Sequence, residues 1–165
     1  SETAFAEMNE VYRTFFPKDP PARATAVTPL MTPDYLVEIT LVATTGDREV
    51  IGPVVSPSLP LSPAIRTGDR FYLSGVLGNT EANVGDVTAQ TRETLTRIER
   101  TLTAQGLSFA NVVDTTVYLT DLSNFAAMNA VYREFFPTAP PARATVGTGL
   151  VSRNGLVELV MTAVR

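Results

Sequence analysis

Arg143 and Glu158 are the residues whose types and setting point most directly to chemistry. An arginine offers a planar, always-charged fork that matches a carboxylate. A partly desolvated glutamate holds its proton to higher pH and can carry it to and from a substrate. Few other groups in the chain can do such work, because its 165 residues include no His and no Cys. Ser-His-Asp and Cys-His catalysis are therefore impossible within the chain, as are Cys/His zinc sites, thiolate redox chemistry and disulfides. Proton transfer falls to Asp, Glu, Lys, Arg, Tyr or a hydroxyl. An all-carboxylate metal site would need a clustered acidic loop, and none of the calcium type occurs.

The setting of the two residues comes from strand alternation. Over 156–164, one face carries Val157, Leu159, Met161 and Ala163 and should pack on helices. The other carries Leu156, Glu158, Val160 and Thr162, which puts Glu158 among apolar neighbours on the face away from the helices. In the preceding strand Arg143, Thr145 and Gly147 share a face. Pairing of the two strands would bring Arg143 and Glu158 onto a common surface. That surface is either an anion pocket or a buried Arg–Glu pair that neutralises itself.

The elements that must position these residues recur within the chain. Residues 5–43 repeat at 125–163 with a constant offset of 120, no gaps and 22 identities in 39 positions. Such self-similarity marks a duplicated unit. The repeat brings a second set, Arg23, Thr25 and Glu38. About a third of a unit (1–45, a helix plus two strands) precedes a Gly/Pro-rich linker (46–58) with an extended entry strand, and a complete unit (59–165) follows. The open first unit needs a partner to cover it, either an upstream piece of the same gene product or another chain. Ser at position 1, where Met is expected, favours a chain cut from a longer tandem.

In the complete unit, 70–76 reads as a strand ending in a Ser-Gly turn. Val87, Thr91, Leu95, Ile98 and Leu102 mark one helical face stopped by Gly106. Residues 112–120 are rich in β-branched types and read as a strand. Ser123 is expected to cap a helix along Phe125, Met128, Tyr132, Phe135 and Phe136, ended by Pro137. Strands over 142–151 and 156–164 then flank an Arg153-Asn154-Gly155 turn, a hairpin signal. The order β-α-β-α-β-β predicts an α+β fold, a mixed sheet with helices on one face. The aromatic stripe belongs to the core, Asn129 and its twin Asn9 to structural hydrogen bonds, and Arg92, Arg97 and Arg100 to a solvated helix face.

Charge excludes further classes. Thirteen basic against seventeen acidic residues give a net charge of −4 and a pI near 4.8, which leaves no basic stripe for nucleic acid. No apolar run approaches the roughly 18 residues of a membrane span. With no targeting pattern, a cytoplasmic location is the expectation.

The tract "VYLTDLSNFAAMNAVYREFF…PPARATV…LVELVMTAVR", extended back through "GDRFYLSG", resembles the reactive-intermediate deaminase (RidA, YjgF-type) family. The resemblance covers 59–165, and again 1–43 as the C-terminal part of a domain. It implies a chorismate-mutase-like fold assembled as a trimer or pseudo-trimer, with sites between subunits. It also implies hydrolysis of reactive enamines and imines, of the 2-aminoacrylate and 2-iminopropionate type, to 2-keto acids and ammonia without a cofactor. Carried over by position, Arg143 is the carboxylate-binding arginine and Glu158 the residue that activates water. Ser74 and Gly75 line the pocket, and Thr145 stands where many members have Cys. Leu61 replaces a common Tyr and Val76 a common Gln, making the pocket more apolar. Arg23, Thr25 and Glu38 match a second site in the partial unit. The alternatives are a non-catalytic small-carboxylate-binding or regulatory member and, less favoured, a ribonuclease.

Overall fold

The computed structural model describes residues 2–53 and 59–165. Among the described residues three α-helices, α1 (Glu2–Phe15), α2 (Val87–Thr103) and α3 (Phe125–Phe135), accompany nine strands. The strands are β1 (Ala26–Val27), β2 (Glu49–Ile51), β3 (Ala64–Thr67), β4 (Arg70–Leu73), β5 (Val76–Leu77), β6 (Val112–Leu119), β7 (Ala142–Gly147), β8 (Gly149–Leu150) and β9 (Val157–Val164). The main sheet runs β2-β3-β4-β9-β6-β7, with β5 also on β9, and β1 and β8 form a separate antiparallel pair. β7 is parallel to β6 and every other pairing is antiparallel. The sheet is therefore mixed, as the element order predicted.

β9 is central because it is apolar on its helix-facing side throughout. Val157, Leu159, Met161 and Ala163 are all buried there. They pack with Leu95, Ile98 and Leu102 of α2 and with Met128, Val131 and Tyr132 of α3 in one core. α2 starts where Asp86 Oδ1 accepts the Ala89 amide at 2.9 Å, and Gly106 beyond its end takes a φ of +68°, which an L side chain resists. Tyr132 stacks on Phe136 with centroids 4.5 Å apart, so this part of the aromatic stripe is core.

Three expectations are corrected. The Asn154-Gly155 turn closes no hairpin: β7 pairs with β6, and β6 lies between β7 and β9. The local turn signal yielded to burial, since β9 fills its two edges with β4 and β6. Ser123 is not the helix cap. Asp121 accepts the Ser123 amide at 2.8 Å in the short turn 122–124 that precedes α3. The segment 46–58, read as a linker with an extended entry strand, contains β2, antiparallel to β3, while 54–58 lie outside the described residues. Finally, 36–43 forms no strand, although its sequence copies β9. Leu36, Val37, Ile39, Leu41 and Val42 are all exposed. A strand needs a neighbour to take its backbone hydrogen bonds, and the described residues give this segment none of the neighbours that β9 has.

The entry to β9 is pinned by Gln90, which is fully buried. Its amide nitrogen donates to the carbonyls of Asn83 (3.1 Å) and Asn154 (3.0 Å). Its oxygen accepts the Leu156 amide at 2.9 Å. Gln90→Ala strands these backbone groups two residues before Glu158. It should lower the unfolding free energy by about 3 kcal/mol, read from the shift in the urea midpoint.

Candidate active site

The break between β4 and β5 builds the site. Tyr72 faces Thr162 and Val76 faces Leu159, so one strand covers this stretch with one more residue than the other. This bulge at Ser74–Gly75 inverts the alternation beyond it. Val76 therefore turns into the core beside Leu159, and Leu77 takes its place beside Glu158. Val76 is thus not a pocket residue. A bulge cannot be read from apolar periodicity, because it changes parity without changing composition.

Glu158 lies on the face away from the helices and is only 3% exposed. Burial pushes its carboxyl up to about 7. Its Oε2 has no hydrogen-bond partner among the described residues. Across the sheet it is level with Leu77 on one side and Tyr118 on the other. Burial, and secondarily the charge of Glu158, also raise Tyr118, which stays a neutral phenol. Tyr118 was missed from sequence, although its parity in 112–119 was the available signal. Gly75 has no alternative at its position. A Cβ there would stand 1.7 Å from Glu158 Oε1 and 3.0 Å from the Ala24 Cβ.

Ala24 belongs to the first repeat, and its presence here is the main departure from expectation. Residues 20–25 lie along the Ser74–Gly75 bulge. Ser74 Oγ accepts the Arg23 amide at 2.8 Å and donates to the Ser62 carbonyl at 2.6 Å. The Gly75 amide donates to the Arg23 carbonyl at 3.1 Å. Ser62 gives its amide to Pro21 (3.1 Å) and its hydroxyl to Pro20 (2.5 Å). β1 then pairs with β8, Ala26 opposite Leu150 and Val27 opposite Gly149. The Arg23 side chain turns back over its own helix, its guanidinium carbon 4.8 Å from the Tyr12 ring centre and 5.7 Å from that of Phe5. Its Nε and Nη2 are buried without partners among the described residues. Burial lowers its pKa, against a raising influence from Tyr12, and an arginine still remains cationic.

Arg143 repeats this local posture, 4.5 Å from the Tyr132 ring centre and 5.8 Å from that of Phe125, but it is elsewhere. It is level with Thr115, a fully buried residue bonded to Tyr132 of α3. Glu158 is level with Tyr118, three residues further along β6. The two residues thus occupy opposite faces with β6 between them, and the common surface expected from pairing does not form. Arg143 Nη2 is engaged by Asn129 Oδ1 at 2.8 Å. Thr145, level with the buried Val117, shares the Arg143 side. Leu61, half-buried, lies next to Ser62. Thr25 continues the docked segment, whereas Glu38 is exposed in 28–48 and joins neither arginine. Among the described residues, no group of three or more acidic side chains could hold a metal ion.

The model of the Endoribonuclease L-PSP family matches residues 54–165. The chain belongs to this family, which includes the YjgF and RidA proteins. It is 36% identical over 122 residues to 3-aminoacrylate deaminase RutC of Acinetobacter baylyi, covering 70% of this chain and 97% of that protein. It is 35% identical over 124 residues to 2-iminobutanoate/2-iminopropanoate deaminase of Capra hircus, covering 72% and 90%. The solved structure of a YjgF-family member from Neisseria meningitidis superimposes with a TM-score of 0.63 at 30% identity, over 72% of this chain and 95% of that one. The α+β fold of this family member is therefore the YjgF one, and its relatives support an imine or enamine deaminase role at the level of the family. Among the described residues, no helix is long and apolar enough to cross a membrane.

The raised carboxyl makes Glu158 a liability to the fold. Between about pH 4.5 and 7 the folded protein keeps a proton that the unfolded chain has released, so stability falls as pH rises through this window. Holding the carboxyl up to about 7 costs the fold about 3 kcal/mol above that pH. Glu158→Gln removes the charge. Its thermal midpoint should exceed that of the parent near pH 8 and match it near pH 4, as scanning calorimetry at both values would show.

Proposed function

We propose that this chain hydrolyses small 2-imino acids and their enamine tautomers to 2-keto acids and ammonia, with Glu158 carrying the protons. The observation that supports this most strongly is the buried, unpartnered carboxyl of Glu158, poised at about 7 against the Ser74–Gly75 bulge. A general base works best with a pKa near the working pH. The family relatives named as 3-aminoacrylate and 2-iminobutanoate/2-iminopropanoate deaminases favour the same chemistry.

The sequence of events balances with one carboxylate. Glu158 takes a proton from water as the water oxygen bonds to the imine carbon, and the C=N electron pair moves onto nitrogen. Glu158 returns that proton to the nitrogen, giving a neutral carbinolamine. It then takes the hydroxyl proton as the carbonyl forms and the C–N bond breaks, and delivers it to the departing nitrogen as ammonia. An arginine fork holds the substrate carboxylate throughout. The apolar neighbour Leu77 suits a short alkyl chain. The exposed 36–43 segment is consistent with a working assembly in which a further polypeptide, from an upstream piece or another copy, pairs with it.

Ammonia release from freshly generated 2-iminopropionate, measured above the spontaneous rate, tests the proposal. Because Glu158 must begin ionised, kcat/KM should rise with pH to a plateau, with a midpoint near 7. Glu158→Gln should lose about 10²–10⁴-fold in rate while remaining folded. A rate no greater than the spontaneous one in the parent protein overturns the proposal.

A further inference from the structure

We propose that the arginine that binds substrate carboxylate at Glu158 is Arg23, supplied by the first repeat, and that Arg143 of the complete unit does not fill this role. The ligand class is a small monocarboxylate with an sp² carbon at position 2, an imine or its keto-acid product. The inference deepens the deaminase reading and rests on it for the reaction, though not for carboxylate binding.

The chain carries the hexapeptide Pro-Pro-Ala-Arg-Ala-Thr twice, at 20–25 and 140–145. Its sequence has one Ser-Gly dipeptide, at 74–75, the site of the bulge. The first copy occupies that bulge through the Arg23 amide and carbonyl. Gly75, which those bonds grip, touches both Ala24 and the Glu158 carboxyl where its missing Cβ would be. Arg23 and Glu158 thus flank one turn, while Arg143 is on the other face of the sheet. The two guanidinium groups also differ in availability. Asn129 occupies Arg143 Nη2, whereas Arg23 holds two buried nitrogens, Nε and Nη2, without partners among the described residues. These are the donors that a carboxylate satisfies as a fork. Their burial means that an anion arriving there is little screened by water. Because both repeats are in one chain, docking of 20–25 is intramolecular, and a second copy would have to displace it against a high effective concentration.

The substitution Arg23→Ala leaves the docking bonds in place, since they are made by backbone atoms. The experiment compares Arg23→Ala, Arg23→Lys and Arg143→Ala in the full chain. It reads kcat/KM on 2-iminopropionate and, separately, inhibition or calorimetric binding by pyruvate. Arg23→Ala should weaken pyruvate binding roughly a hundredfold, as loss of one partner in a buried charge pair does. It should reduce kcat/KM at least as much, and Arg23→Lys should recover only part of either. Arg143→Ala should cost at least tenfold less than Arg23→Ala in both readouts. An equal or reversed order overturns the assignment to Arg23. Arg23-dependent pyruvate binding without turnover would sustain the assignment and remove the deaminase reading. Turnover that depends on Arg143 would do the opposite.

Discussion

The hydroxyl of Ser74 is the joint on which the arrangement turns. It accepts from the Arg23 amide and donates to the Ser62 carbonyl, and it is buried while doing both. A buried hydroxyl with both capacities met is stable, and one left unmet is costly. That single group fixes the segment entering from the first repeat, the loop before β3 and the bulge between β4 and β5. The bulge in turn brings a backbone without a side chain, at Gly75, against the carboxyl of Glu158.

In the role proposed for it, Glu158 sets function against stability. A carboxyl in apolar surroundings lowers the stability of the fold near neutrality, and the same desolvation moves its pKa to where proton transfer is efficient. The rest of the unit supports it: β9 is held on both edges, its far side is packed against α2 and α3, and Gln90 secures its start. Strong support elsewhere is what lets one strained group persist.

The duplication divides labour between nearly identical segments. The hexapeptide at 20–25 meets the bulge, while its twin at 140–145 forms part of an edge strand, β7. The same residues thus do different things because their neighbours differ. The copy of β9 at 36–43 makes the point again: an apolar strand sequence forms no strand where nothing receives its hydrogen bonds.

By itself the sequence determined the elements and the faces of single strands. The spacing of Val87, Thr91, Leu95, Ile98 and Leu102 defined α2, and alternation along β9 assigned Glu158 to the face away from the helices, because periodicities of 3.6 and 2 are local properties of the backbone. The absence of His and Cys and the internal repeat were equally direct. Only the tertiary structure decided what lies opposite what. Strand order placed β6 between Arg143 and Glu158, a one-residue bulge exchanged Val76 for Leu77, and docking of the first repeat brought Arg23 to the turn that the complete unit left open. Register, bulges and docking are set by hydrogen bonds between residues distant in the chain, and local periodicity contains no information about those partners.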